Sequence, residues 1–242
     1  MCTVTWLRQA DGYELFCNRD ERHERAEATP PEVRVADGVR MITPLDPDGG
    51  GTWIAVNHHG LSLCLLNGYR ASDDLVPAPH LRSRGLLVTE LATAASARDV
   101  LDDVKDRDLS AYRSFDLLVL GPDAPPRLAS WNRAASAHRD AQARVPLVSC
   151  PVRTGEVRQA RTETLLRLVQ EYHGVDASVL QVFHESQHPD GWIWSVSMHH
   201  EIAGTRSLSR VRVTADEVAF TYTPGRPGET AALPAVTIRR QA

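Results

Sequence analysis

A cysteine at position 2 and the run Asn18-Arg19-Asp20-Glu21 are the residues of this chain whose types and spacing could do covalent chemistry. Strand-forming runs, Thr3 to Leu7 and Tyr13 to Cys17, flank Gln9-Ala10-Asp11-Gly12, which reads as a tight turn. Counting back from that turn sets Cys2 across from Arg19, within one position. A thiol, a chain terminus, a guanidinium and two carboxylates then meet within a few ångströms. An ordinary cysteine has a pKa of about 8.5, and a neighbouring guanidinium favours its nucleophilic thiolate form, a task for which Arg19 is placed. Removal of Met1, usual before a small second residue, frees an α-amine with an ordinary pKa of about 7.7–8.0, which suits it to be the general base. Asp20 or Glu21 would fix that amine by a charge-assisted hydrogen bond.

The elements that must position these groups follow from pattern. After the first hairpin, Ala28 to Asp48 is proline-rich and reads as loop with at most one strand. A second hairpin, Thr52 to Asn57 and Leu61 to Leu66, surrounds His58-His59-Gly60. Leu86, Leu87, Leu91, Val100, Leu101 and Val104 recur at helical spacing, giving two helices or one broken at Ala92 to Ala97. Phe115 to Leu120 and Arg127 to Trp131 read as short strands. A long amphipathic helix opens at Thr154 or Gly155. Strands are expected again at Ile193 to Met198, Leu208 to Val213, Val218 to Tyr222 and Val236 to Ile238. Two loops, Arg70 to His80 and Ser130 to Val145, would shape the pocket. This β, α, β, α, β order predicts one α/β (α+β) domain over residues 1–242, with helices packed on antiparallel sheet.

The 242 residues carry a net charge of −4, and the arginines are scattered among acidic residues, so no nucleic-acid partner is expected. The single lysine, Lys105, has no glycine-rich approach, which speaks against a lysine-dependent phosphate loop or a Schiff base. Charge and a turn signal within Met1 to Asp11 argue against a signal peptide, and no apolar stretch is long enough to span a membrane. Four cysteines (Cys2, Cys17, Cys64, Cys150) without paired spacing fit a reducing, cytoplasmic setting better than a disulfide framework. His184-Glu185-Ser186-Gln187-His188 matches the H-E-x-x-H zinc-protease pattern. However, Pro189 disfavours helix at His188, and Trp194 stands where the longer form needs a histidine, so no metal site is expected.

Cys2, Asn18-Arg19-Asp20-Glu21, Gly50-Gly51-Thr52-Trp53, Gly60-Leu61, Asn67 and Gly204-Thr205-Arg206-Ser207 together resemble the NRDE family, also called transport and Golgi organisation protein 2-like. That family in turn is similar to cholylglycine hydrolases and penicillin V acylases. The resemblance implies a four-layer α/β/β/α sandwich of the N-terminal nucleophile hydrolase type, and hydrolysis of a linear amide or related acyl bond in a small molecule. It makes Cys2 the nucleophile, Asn67 the oxyanion donor and Arg206 the late arginine supporting the cysteine, with Arg210 close enough to compete. Ser149 would stand for the acylases' second asparagine, and Trp53 reads as packing. The acylases carry arginine one place earlier than Arg19, and a one-residue shift turns a side chain to the other face of a strand unless a bulge intervenes. No cofactor is expected under this reading. The alternative is a non-catalytic haem or acyl-lipid carrier, with His58, His59, His199 or His200 as haem contacts. Oligomeric state is not encoded in any feature of the sequence.

Overall fold

A computed structural model of the chain describes residues 1–70 and 80–241, so most of the expected loop from Arg70 to His80 lies outside the described residues. In chain order the strands are β1 (Cys2–Gln9), β2 (Gly12–Arg22), β3 (Thr29–Ala36), β4 (Val39–Leu45), β5 (Ile54–Asn57), β6 (Ser62–Asn67), β7 (Phe115–Leu120), β8 (Arg127–Trp131), β9 (Ser136–Asp140), β10 (Leu147–Ser149), β11 (Ala203–Val213), β12 (Glu217–Pro224) and β13 (Val236–Arg239). The helices are α1 (Arg84–Leu91), α2 (Ala97–Asp106), α3 (Thr154–Glu171) and α4 (Ala177–Glu185). Among the described residues the strands form two antiparallel sheets. The first has the order β10-β1-β2-β11-β12-β13, and the second β3-β4-β5-β6-β7-β8-β9.

Alternation along each strand builds four layers. Val4, Trp6, Tyr13, Leu15 and Cys17 of the first sheet meet Ile54, Val56, Cys64, Leu66 and Leu118 of the second in a dry inter-sheet core. The outer face of the second sheet packs Leu63, Leu117 and Val119 against Leu87, Val88 and Val100 of α1 and α2. The outer face of the first sheet packs Phe16 and Leu208 against Leu165, Leu168, Val179 and Phe183 of α3 and α4. This is the expected α/β/β/α sandwich.

Three expectations need correction. The proline-rich stretch after Ala28 holds two strands, β3 and β4, because Asp37 and Gly38 both take positive φ and turn the chain as an Asp-Gly hairpin. Pro30 and Pro31 are tolerated because β3 is an edge strand with a register shift between Thr29 and Glu32. The region Ser130 to Val145, read as loop, contains β9. Ile193 to Met198 is not a strand: Gly191 and Trp192 have positive φ and open a single 3-10 turn. The backbone of this segment bonds outside any ladder, with Ser197 N donating to Ser186 O and Met198 N to Thr205 Oγ1.

Helix α4 was not anticipated. Asp176 caps it by accepting from the N–H groups of Ser178 and Val179. It ends at Glu185, so His184 is helical while His188 lies beyond the cap, and the two histidines do not share a helix face. His184 is completely buried between Asn18 Oδ1 (3.0 Å from Nδ1) and Thr5 Oγ1 (2.8 Å from Nε2), docking α4 onto the first sheet.

Burial, followed by the Arg161 charge, lowers the His184 pKa from 6.5 to about 3. Between those values the unfolded chain holds a proton that the folded chain refuses. The stability associated with neutral His184 is therefore intact above pH 6.5 and is lost as pH falls toward 3, at about 1.4 kcal/mol per pH unit. Urea unfolding at pH 7 and at about pH 4.5 should differ by roughly 2–3 kcal/mol from this group. His184→Gln should flatten that slope by close to one proton.

Candidate functional site

The ladder between β1 and β2 runs from Gln9 opposite Gly12 to Cys2 opposite Arg19 without a register shift. One step further, Met1 and Asp20 exchange both backbone bonds: the Met1 amine donates to Asp20 O and Asp20 N donates to Met1 O, each at 2.9 Å. Cys2 and Arg19 are therefore the non-hydrogen-bonded pair, the kind whose side chains come closest. Both project between the sheets. Arg19 is only 5% exposed, and its guanidinium lies 4.8 Å over the Trp53 ring, 3.7 Å from Asp46 and 3.9 Å from Glu21. No bulge is needed to put Arg19 on the cysteine's side.

The opposite wall comes from the segment before β5 and the start of α1. Gly51 is required there, since a Cβ on it would sit 2.2 Å from the Gly85 carbonyl carbon. That close approach allows Thr52 N to donate to Gly85 O (3.1 Å) and ties the loop to the first turn of α1. The two walls enclose a cavity of about 350 Å³. Met1, Cys2, Arg19, Asp20, Glu21 and Asn67 all line it. The Asn67 amide donates to Tyr69 Oη at 3.2 Å.

The other face of β2 carries Asp20, whose carboxylate is buried beneath the terminus. Thr205 Oγ1 donates to its Oδ1 (2.7 Å), and Arg161 Nη1 lies 3.7 Å from its Oδ2. Arg161 comes from α3, is wholly buried, and also donates to Thr3 Oγ1 and to Ile193 O. Burial raises the Asp20 pKa, against the opposing pull of Arg161, the terminal amine and Thr205. The Asp20 Oδ2 atom has no hydrogen-bond donor.

Two electrostatic expectations change with Met1 in place. Burial alone would lower the pKa of the Met1 amine, but Tyr69, Cys2, Asp20 and Glu21 around it raise it to about 11, so it stays protonated and cannot serve as a base near neutrality. The Cys2 thiol is pushed well above its ordinary value by its interaction with the Cys17 thiol and then by burial, with only the amine charge pulling the other way. Arg19 faces Cys2 but spends its charge on Glu21, Asp46 and the Trp53 ring.

The remaining candidates sit elsewhere. Asn18 is buried behind the site, where its amide donates to His184 O and Val196 O, each at 2.9 Å. Ser149 is directly across from Cys2 on β10, with a buried hydroxyl that has no partner. Arg206 does not reach the cavity: a register irregularity between Thr205 and Ser207 turns it outward to Glu27 (3.0 Å) and His23. Arg210 pairs with Glu14 (2.6 Å), further along the sheet. The residues missed in the sequence are Thr205, adjacent to the predicted arginine, and Arg161. The latter had a signal, for it interrupts the buried stripe Val157, Leu165, Leu168 of α3 with a charge. Among the described residues no cluster of three or more His, Cys, Asp or Glu could hold a metal ion. His58, His59, His199 and His200 all lie off the cavity lining, and His58 Nδ1 already accepts from Arg40 N.

The family model described as Transport and Golgi organisation 2 matches residues 1–184. No curated protein sequence matches the chain. Among solved structures, the N-acylethanolamine-hydrolyzing acid amidase ortholog of Caenorhabditis elegans aligns at 13% identity with a TM-score of 0.61, covering 87% of this chain and 92% of that one. A variant of conjugated bile acid hydrolase from Clostridium perfringens aligns at 10% identity and TM-score 0.59, covering 99% and 97%. Penicillin V acylase from Agrobacterium tumefaciens aligns at 10% identity and TM-score 0.54, covering 99% and 86%. At these identities the likeness is one of fold, and the fold is that of the N-terminal nucleophile hydrolases.

Arg161→Met should destabilise the protein by about 3–5 kcal/mol, because it removes the guanidinium that is the main counter-charge of the buried Asp20 carboxylate. Adding Asp20→Asn should restore most of the loss in urea unfolding. A double variant no more stable than Arg161→Met would show that the pair is not the source.

Proposed function

The chain belongs to the transport and Golgi organisation 2 family, and from that premise we propose that it is an N-terminal-nucleophile cysteine hydrolase acting on a linear amide or related acyl bond of a small molecule, with Cys2 as nucleophile once Met1 has been removed. The observation that carries this reading is the placement of Cys2 at the very start of β1, lining a cavity across from Arg19 with the buried Asp20 carboxylate beside the chain terminus.

In the proposed reaction the Cys2 sulfur attacks the acyl carbon and Asn67 donates its amide N–H to the developing oxyanion. The α-amine takes the thiol proton and passes it to the leaving nitrogen. Water then cleaves the thioester, returning the thiol and releasing the acid. Asp20 is suited to orient the amine: its carboxylate is held by Thr205 and Arg161, while Oδ2 lacks a donor. Glu21, drawn toward Arg19 and Arg25 at 3.9 Å each, is less well placed. Removing Met1 also frees the backbone N–H and C=O of Asp20 to face the cavity.

A library of N-acyl amino acids, acyl-amines and thioesters, assayed against protein whose terminus has been read by intact mass, tests the proposal. Protein beginning at Cys2 is expected to hydrolyse at least one class, and Cys2→Ala to lose roughly 10³-fold or more in kcat with its fold retained. Full activity in material that keeps Met1 would sink the role of the amine. Equal activity of Cys2→Ala would sink the nucleophile.

A further inference from the structure

Three of the four cysteines lie together in the inter-sheet core. Cys2 faces the cavity at the start of β1. Cys17 is two residues along β2 from Arg19, on the same inter-sheet face, and its thiol interacts with that of Cys2. Cys64, on β6 of the facing sheet, places its sulfur 3.5 Å from the sulfur of Cys17. Cys17 and Cys64 are completely buried, and all three are free thiols. No step proposed for Cys2 uses the inner two.

We propose that Cys17 and Cys64 are resolving thiols that draw oxidation away from Cys2 and end as a reversible disulfide joining the two sheets. Hydrogen peroxide transfers one oxygen to the Cys2 thiol, giving a sulfenic acid and one water. The Cys17 thiol attacks that sulfur, a second water leaves, and a Cys2–Cys17 disulfide forms. Cys64 attacks the Cys17 sulfur, and Cys2 departs as a thiol carrying the proton that Cys64 gives up. Two thiols and one peroxide thus yield one disulfide and two waters, with Cys2 reduced again. The order follows from access, since Cys2 lines the cavity while Cys17 and Cys64 are completely buried. The final bond requires the 3.5 Å separation to close to about 2.05 Å by rotation of the two side chains and a small approach of the sheets. An intracellular thiol reductant would reverse it through Cys2 by the same exchange. This assignment needs Cys2 to face the cavity but needs no hydrolytic turnover, so it stands or falls separately from the proposed amidase.

The experiment treats protein beginning at Cys2, its terminus read by intact mass, with limiting hydrogen peroxide, alkylates the remaining thiols under denaturing conditions and maps peptides by mass spectrometry. The wild type should lose two hydrogens, with a bridge between the Cys17 and Cys64 peptides and with Cys2 and Cys150 alkylated. Cys64→Ala should stop at a Cys2–Cys17 bridge, and Cys17→Ala should send Cys2 on to sulfinic acid. In Cys2→Ala the inner pair should stay reduced. The proposal is overturned if wild-type Cys2 accumulates as sulfinic acid while Cys17 and Cys64 remain alkylatable, or if the inner bridge forms as fast in Cys2→Ala. The wild-type map decides the matter even if a core variant fails to fold.

Discussion

The ladder between β1 and β2 runs unbroken from the Gln9–Gly12 turn to the Met1–Asp20 exchange, and because strand side chains alternate with a period of two, this single register decides the face on which every reactive group lands. Cys2 and Arg19 go inward between the sheets with Val4, Trp6, Leu15 and Cys17, while Asp20 goes outward with Thr3, Thr5 and Asn18. A slip of one residue would drive Thr3 and Thr5 into the dry core and bring Cys2 under α3. The apolar anchors forbid it. The placement of Cys2 beside Arg19 is thus set by the hydrophobic effect acting on the rest of the core.

The two faces of the first sheet are built on different physics. Between the sheets the contacts are mostly aliphatic, aromatic and sulfur, with polar groups at the cavity end and the Tyr13 hydroxyl bonded to Gly60 O and Ser62 Oγ at the other. On the helix side, Thr3, Thr5, Asn18 and Asp20 are all cut off from water, so each must find its partner within the protein. Arg161 on α3 and His184 on α4 supply them. These contacts fix how both helices sit on the sheet, and through Asp20 they reach the chain terminus. A carboxylate this deeply placed is stabilised by one guanidinium at 3.7 Å, the charge of the terminal amine and one hydroxyl at 2.7 Å. The arrangement makes Asp20 electrostatically expensive and therefore sensitive to any positive charge that comes near.

The opening hairpin, the second hairpin, the helix pair α1 and α2 and the long helix α3 were legible because each rests on local signals, turn residues, alternation and helical spacing, whereas the four-layer class came from the family resemblance. What escaped were elements whose signals are tertiary. β3 hid behind two prolines that only an edge strand tolerates. β9 and α4 were too short or too polar at their boundaries to separate from loop. Arg206 was misplaced because a register irregularity in β11, invisible in the sequence, turns it outward and gives the inward position, across from Arg19, to Ser207. Arg161 could have been found, since a charge in the apolar stripe of an amphipathic helix must be answered by another. Its answer, Asp20, lies 141 positions earlier, and nothing local joins the two.

The chain that keeps Met1 is electrostatically closed. Its amine is held charged by the acidic surroundings, its thiol is held protonated by burial and by Cys17, and the backbone of Asp20 is saturated by Met1 itself. Taking away one residue changes all three conditions together. The amine moves onto the α-carbon of Cys2, and a unit positive charge about 4 Å from a thiolate stabilises it by roughly 4 kcal/mol at an effective dielectric of 20. That attraction works against the burial that keeps the thiol protonated. The same burial that silences the thiol in the longer chain would then strengthen its pairing with the amine, because both sit where water cannot screen them. In the proposed enzyme, activation therefore requires no rearrangement of the fold, only the shortening of a strand whose register is already set.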